Sequence, residues 1–281
     1  MNSIVVAFGV ELLTHTHNDP AFRLRRDSDG TTQDIYFLEH GIIDRDAIDS
    51  FLEGTTGFIE VWYDQSQFQS HASQNALHNQ PRLDIFNLSS DQIESRLSPD
   101  FYSTVYFDGD STHMTANISQ MNTNELTAMA WINVTRRHIS GNGYDIFSLH
   151  HNDCWGTFGV ETIGDFDGGT TTKFRYWGCI SNNQHATTQE NYLLNTWHHI
   201  ALRINETHLT FYVNGIQDGI LTKTGPTNYD GNDLLYFGVW SKGINPSHSY
   251  GGHIRDFFLF NRSLSVLEIQ DMMDLTNIFI E

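Results

Sequence analysis

The sequence is poor in proline, in cysteine and in basic residues, and the last two shortages argue against particular kinds of site and partner. Its 281 residues include only five prolines and two cysteines, Cys154 and Cys179, too few for a zinc site built from cysteine alone. Lysine and arginine number 15 against 34 aspartates and glutamates, giving a formal net charge of −19. A chain this acidic repels a phosphate backbone and an anionic bilayer, so we expect no nucleic-acid partner.

Long apolar runs are lacking as well. No segment approaches the roughly 20 apolar residues of a membrane-spanning helix, so we expect no membrane insertion. Residues 1–7 contain no basic residue and are too short for a signal peptide. We therefore expect a mature fragment, a protein exported by another route, or one assembled inside a host cell as virion proteins are. The expected location is a virion surface or the extracellular space.

The residues that are present favour an all-β fold. Hydrophobic residues make up 39% of the chain and aromatic residues 13%, which is enough for a sizeable core. Apolar side chains alternate over 197–203 and again over 209–213, with a polar segment between, and Asn214-Gly215 follows as a tight hairpin turn. Short strands with turn signals at regular spacing predict a sandwich or a barrel.

The segment 197–215, WHHIALR followed by LTFYVNG, resembles the signature of laminin-G-like, concanavalin-type jelly rolls. Further segments resemble other strands of that family, namely 105–110, 126–132, 144–149, 234–238 and 252–265. Over about residues 100–275, the resemblance implies a concanavalin-like jelly-roll sandwich of two antiparallel sheets. The family is used mostly for binding glycans and surfaces rather than for chemistry.

A second resemblance covers about residues 7–85. The segments 20–35 and 57–83 are similar to the N-terminal part of arabinofuranosidase B-type catalytic domains, with Gln67 where that family usually has glycine. The matching segments do not include the family's catalytic carboxylates. We expect residues 1–95 to form a small mixed element, with a short helix at 46–52, that packs on a jelly roll of residues 96–281.

An aromatic hairpin suggests where a ligand could bind. Segments 154–161 and 172–179 flank a Gly/Asp-rich turn, and a symmetric hairpin places Cys154 opposite Cys179. These cysteines form either a disulfide or two reduced thiols. One face of the hairpin belongs to the core, and the other could stack on sugar rings. The candidate ligand-binding residues are Trp155, Tyr176, Trp177 and, near a separate loop, Trp240.

Acidic turns suggest calcium as a cofactor. Asp165 and Asp167 are spaced by two in a Gly-flanked turn, and carboxylate oxygens are the ligands that Ca²⁺ prefers. Asp108, Asp110 and Asp256 are alternatives, if the ends of the sandwich share an ion. The competing interpretation is that each is an acidic turn without an ion.

If the protein is an enzyme, Glu161 and Asp145 are the carboxylate pair to test, because a retaining glycosidase needs two carboxylates about 5–5.5 Å apart. The competing interpretation is that both are solvated strand ends. No Ser-His-Asp context, phosphate loop or zinc signature is present.

The favoured hypothesis is a non-catalytic carbohydrate-binding or surface-attachment protein, such as a surface or minor structural protein of a virion. Its partners would be a glycan or glycoprotein surface and other virion or surface proteins. The alternatives are a glycoside hydrolase of the arabinofuranosidase type and a purely structural assembly protein.

Overall fold

The fold is all-β, as the sequence predicts. The computed structural model describes residues 3–14, 16–88, 101–118, 124–136, 143–149, 158–166, 169–178, 185–225, 234–240 and 248–276. No helix in this part of the chain has the length and apolar character needed to cross a bilayer.

The strands are short and follow one another closely along the chain. They are β1 (Ile4–Phe8), β2 (Phe22–Arg26), β3 (Thr32–Ile35), β4 (Gly57–Trp62), β5 (Ala72–Ser73), β6 (Arg82–Asn87), β7 (Phe101–Asp108), β8 (Met114–Asn117), β9 (Leu126–Val134), β10 (Tyr144–Leu149), β11 (Phe158–Phe166), β12 (Thr171–Trp177), β13 (Ala186–Thr187), β14 (Tyr192–Leu193), β15 (Trp197–Ile204), β16 (His208–Val213), β17 (Ile216–Thr222), β18 (Leu234–Phe237) and β19 (Gly251–Phe260).

The described part of the chain also contains the α-helices α1 (Arg45–Leu52) and α2 (Val266–Leu275) and a short 3₁₀ helix at Leu77–Asn79. At the start of α1, the Asp44 carboxylate accepts a hydrogen bond from the Ala47 N–H. Ser265 and Glu268 form a reciprocal capping box at the start of α2. Both caps satisfy backbone donors that have no partner inside the helix, which fixes where each helix begins.

The strands form two antiparallel layers that the chain joins through β4. The first layer runs β17-β16-β15-β9-β19 and continues to β7 and β6, and β1 pairs with the C-terminal half of β19. The second layer runs β12-β11-β10-β18-β8-β5, with β13 and β14 on the outer edge of β12. Strand β4 pairs with both β5 and β6.

Aromatic side chains fill the space between the layers. Phe237 of the second layer lies 4.9 Å from Phe257 of the first, and Phe8 lies 5.5 Å from Phe237 (ring centroids). Trp62 is fully buried beside them, and its indole N–H donates to the Gly9 carbonyl at 3.0 Å. Burying each such ring removes about 150–250 Å² from water, so this cluster is a main source of cohesion between the layers.

The predicted hairpin is confirmed. Trp197–Ile204 pairs with His208–Val213 through the segment 205–207. The Asn214-Gly215 turn then joins β16 to β17, where Val213 is opposite Ile216, and its two residues have φ values of 50° and 72°. A two-residue turn with both φ values positive suits Asn-Gly, because asparagine tolerates the left-handed region and glycine adopts it freely.

The predicted extension at 1–95 contributes strands to both layers. Within it, β1 extends the first layer beside β19, and β5 extends the second beside β8. The predicted boundary near residue 95 lies outside the described residues and stays a prediction.

Candidate functional site

Strands β10, β11 and β12 bring three charged side chains into one row. Asp145 is directly opposite Glu161, and Glu161 is directly opposite Arg175. Their neighbours Val160 and Tyr176 belong to the hydrophobic core, and side chains alternate along a strand. The row therefore lies on the outer face of the second layer, and Trp177, two residues after Arg175, shares that face.

Asp145 and Glu161 form a shielded carboxylate pair. Their residues are only 1% and 4% exposed. The Trp177 indole N–H donates to Asp145 Oδ1 at 2.7 Å, and Arg175 Nε donates to Glu161 Oε1 at 2.5 Å. Among the described residues, Trp177 is thus the side-chain donor to Asp145, and the Arg175 guanidinium is the donor to Glu161.

Burial governs the acidity of the pair. It raises the pKa of Asp145 well above its usual range, and the neighbouring Glu161 carboxylate adds to the rise, while the Trp177 hydrogen bond opposes it. Burial also raises the pKa of Glu161, and the Arg175 guanidinium only partly offsets that rise. Two carboxylates with raised pKa values can hold and exchange a proton, a property that structural ion pairs and acid–base sites share.

Two glycines make room for this arrangement. A Cβ atom on Gly143 would lie 1.6 Å from Glu161 Oε2, and one on Gly159 would lie 2.3 Å from the Trp177 indole. The Glu161 carboxylate and the Trp177 ring therefore rest directly on backbone. Sequence analysis did not identify Arg175, Gly143 or Gly159 as site residues. The sequence does contain one indication: Gly159 and Glu161 are two residues apart on one side of a strand, and a glycine inside a strand marks a place where another group approaches the backbone closely.

Trp240 brings a second indole to the site. The rings of Trp177 and Trp240 meet edge to face with centroids 6.5 Å apart, and Trp240 also packs against His248 at 5.4 Å. Trp177 is 6% exposed and Trp240 is half-buried. The Arg175 side chain is 27% exposed. Trp240 and Arg175 thus present an aromatic and a cationic surface above the shielded carboxylates.

The observed register corrects the predicted hairpin. Gly159 is opposite Trp177, whereas placing Cys154 opposite Cys179 requires Gly159 to be opposite Phe174. A register shift between Ile163 and Phe166 changes the pairing near the turn, and the sequence symmetry did not reveal it.

The faces of the hairpin need correction too. Tyr176 is fully buried in the core, so it is not part of a binding surface. Phe158 of the neighbouring strand β11 also faces the core. Trp155, Cys154, Cys179 and Asp167 lie outside the described residues, as does the side chain of Asp165.

The alternative calcium ligands do not come together. Asp256 is buried against Arg255 at 2.6 Å, and it accepts a hydrogen bond from the Val10 N–H. Asp108 accepts backbone N–H groups of Asp110 and Thr112 within its own turn. Among the described residues, no three His, Cys, Asp or Glu side chains lie close enough to hold a metal ion.

Comparison with protein families identifies the fold. A family model described as the concanavalin A-like lectin/glucanases superfamily, laminin-G type, matches residues 108–270, more than half of the chain. The chain belongs to this superfamily. The model of the arabinofuranosidase B catalytic domain matches residues 4–136, so both resemblances seen in the sequence are confirmed. A sequence search of curated proteins gave no significant match.

Solved structures share the superfamily fold at low identity. An arabinofuranosidase complexed with arabinofuranosyl-α-1,2-xylobiose aligns at 16% identity and a TM-score of 0.67, covering 96% of this chain. This chain spans only 62% of that enzyme's length. A pentraxin from Limulus polyphemus aligns at 16% identity and a TM-score of 0.52, covering 63% of this chain and 84% of its own.

The binding domain of Paraclostridial Mosquitocidal Protein 1 is a further neighbour. It aligns at 13% identity and a TM-score of 0.53, covering 92% of this chain and 52% of its own. At these identities the comparisons establish the fold, while the activity of each neighbour stays its own.

Proposed function

We propose that the protein binds carbohydrate without cleaving it, through the outer face of β10, β11 and β12. The observation that carries the proposal is the Trp177–Trp240 pair beside Arg175 and the carboxylates Asp145 and Glu161. Small-molecule sites combine aromatic surface with a few fixed polar groups, and this face offers both.

Each side chain has a role in this proposal. The partly exposed Trp240 ring stacks on the C–H face of a sugar, while Arg175 donates hydrogen bonds to hydroxyl or ring oxygens. The shielded carboxylate of Glu161 holds the Arg175 guanidinium at 2.5 Å and so fixes its orientation. A preorganised donor contributes more to affinity than a mobile one, because less entropy is lost on binding.

The proposal includes surface attachment, with a glycan or glycoprotein as partner. We further expect the protein to be displayed on a virion. We also expect Asp165 and Asp167 to bind a calcium ion that supports glycan binding. Labelling of intact particles with an antibody against the chain tests the first, and binding in calcium against EDTA tests the second.

Calorimetric titration with arabinofuranosyl-α-1,2-xylobiose, supported by a glycan array, tests the binding site. We expect Trp240→Ala to weaken binding about tenfold, the equivalent of about 1.4 kcal/mol. Tyr36→Ala is the matched control, since Tyr36 is an aromatic residue 51% exposed elsewhere on the surface. Equal affinity of the two variants, or no glycan bound by the parent protein, would contradict the proposal.

A second candidate function is glycoside hydrolysis, which one observation favours. Asp145 and Glu161 are directly opposite on neighbouring strands, so two carboxyl groups are neighbours on one face, and retaining glycosidases use a pair of carboxyl groups about 5–5.5 Å apart. Raised pKa values suit a general acid. Against this function, both carboxylates are shielded from solvent.

Release of sugar from arabinofuranosides, read in the same samples as retention, separates the two functions. Release that Glu161→Gln abolishes would establish the hydrolase, whereas retention without release supports the binding protein. Thermal unfolding of Glu161→Gln, compared with the parent protein, checks that any loss of release is not caused by loss of folded protein.

A further inference from the structure

The outer face of the first layer carries an aromatic surface that is separate from the site above. Strand register places Arg82, Tyr106, His253, Asn133 and Trp197 in one row across five strands, β6, β7, β19, β9 and β15. Because side chains alternate along a strand, Phe86 of β6 and Tyr102 of β7, which are opposite each other, lie on the same side as this row. We call the rings of Phe86, Tyr102, Tyr106, Trp197 and His253 the His253 face.

The rings of the His253 face surround one imidazole. Tyr106, Phe86 and Trp197 lie 4.8, 5.5 and 6.2 Å from the His253 ring. Phe86 stacks on Tyr102 at 5.0 Å with an interplanar angle of 18°. Phe86 is 37% exposed and Trp197 is half-buried, so part of this surface is open to ligands.

Helix α2 packs on another part of the same outer face. Ile269 and Leu264 pack there in a small apolar cluster with Met129, Ala201 and Phe258. That cluster also contains the rings of Tyr212, Phe258 and Phe260, and the residues of the His253 face lie outside it, partly exposed to a further partner.

The charged groups of the His253 face indicate what that partner is. Arg82 and Asp84 are paired with each other, and the Arg82 guanidinium also lies 4.5 Å above the Tyr106 ring. Thr104 Oγ1 lies 2.9 Å from His253 Nδ1 and fixes the imidazole. On this side of β6 the charges of Arg82 and Asp84 therefore cancel, on a chain of net charge −19, which suits a neutral, hydroxyl-rich ligand better than a basic protein.

We propose that the His253 face is a second carbohydrate-binding surface, which takes a neutral polysaccharide chain by ring stacking. Phe86 and Trp197 supply the stacking surfaces, and the Arg82–Asp84 pair supplies a donor and an acceptor for sugar hydroxyls. When the site on β10–β12 also binds, the two surfaces let one molecule bridge two glycan chains, so binding to a polymer then exceeds binding to an oligosaccharide by avidity. This proposal stands without the site on β10–β12.

Binding to immobilised arabinoxylan, arabinan, β-glucan and mannan tests the proposal, using the full chain and single variants. We expect Phe86→Ala and Trp197→Ala each to weaken binding about three- to tenfold, with Tyr36→Ala unchanged. Because Trp197 also packs on its neighbours, thermal unfolding of each variant is recorded, and Phe86→Ala, at the most exposed ring, carries the conclusion.

The outcomes separate this inference from the proposed function. Loss with Phe86→Ala but not with Trp240→Ala supports the His253 face and refutes the first site. Loss with Trp240→Ala alone, or no retention on any of the four polysaccharides, overturns the second surface. Loss with each variant, and a larger loss when both are combined, supports two surfaces.

Discussion

The substitution Asp145→Asn separates the stability of the carboxylate pair from its function. An asparagine has the same shape, and its Oδ1 can still accept the Trp177 hydrogen bond that Asp145 accepts at 2.7 Å. It removes a buried negative charge that faces Glu161 directly. We therefore expect the variant to be more stable than the parent protein near neutral pH.

The gain should depend on pH in a defined direction. An aspartate whose pKa is raised by folding binds its proton more tightly in the folded state, so the parent protein loses stability as pH rises above the ordinary value of 3.8. The loss grows by about 1.4 kcal/mol per pH unit until the raised pKa is reached. The stabilities of parent and variant should thus coincide near pH 3.8 and separate above it.

Urea unfolding followed by tryptophan fluorescence from pH 3.5 to 8 measures this difference. Each pH unit by which folding raises the pKa of Asp145 contributes about 1.4 kcal/mol to the difference, and each kcal/mol corresponds to a rise of about 2–4 °C in Tm for chains of similar size. Asp110→Asn, at an exposed carboxylate, is the control and should change stability by less than about 0.5 kcal/mol. Equal or lower stability of Asp145→Asn at pH 7 would refute the reasoning, because Arg175 would then fully compensate the charge.

Three further predictions concern other buried groups. Burial lowers the pKa of His253 to about 4. The stability that this group contributes is therefore complete above the unfolded value of 6.5 and is lost as pH falls towards 4. His253→Gln should remove this fall in the free energy of unfolding, worth about 3 kcal/mol, in unfolding experiments at pH 4, 5 and 7. Gly143→Ala should cost about 1–3 kcal/mol by displacing Glu161, and Glu161→Asp should recover part of that loss in a double-variant unfolding experiment. Arg255→Met should cost about 3–5 kcal/mol at pH 8 by leaving the Asp256 carboxylate without its cationic partner. The cost should be smaller at pH 5, since the pKa of that carboxyl is already raised to about 6. An equal drop in urea midpoint from parent to variant at the two pH values would count against this account.

The local structure could be predicted well from the sequence. The apolar spacing at 46–52 predicted helix α1, observed as Arg45–Leu52, and the alternation at 197–203 predicted β15. These features depend on neighbours in the sequence, such as the Asp44 cap and the Asn214-Gly215 turn. Periodicity and turn chemistry contain that information directly.

The candidate site was predictable only in part, because its geometry depends on register. The sequence singled out Asp145, Glu161, Trp177 and Trp240, but not that Glu161 is opposite both Asp145 and Arg175. A hairpin with a Gly-rich turn allows several registers, and a shift by one residue exchanges the two faces of a strand. The predicted register differs from the observed one by three residues. Tyr176 and Trp177 point to opposite faces in either register, and the sequence did not indicate that the Tyr176 face is the one in the core.

The two family resemblances meet in one hydrogen-bonded unit. The arabinofuranosidase B match over 4–136 and the laminin-G match over 108–270 overlap in sequence, and the fold gives that overlap a physical meaning. Strand β1 pairs with β19 near the other end of the chain, and Phe8 of β1 packs against Phe237 and Phe257 in the shared core. The buried Asp64 carboxylate accepts the Ala7 N–H at 2.8 Å and so ties β1 to the end of β4. Since these contacts join distant parts of the chain, the N-terminal strands stabilise the same sandwich whose two outer faces carry the proposed binding surfaces.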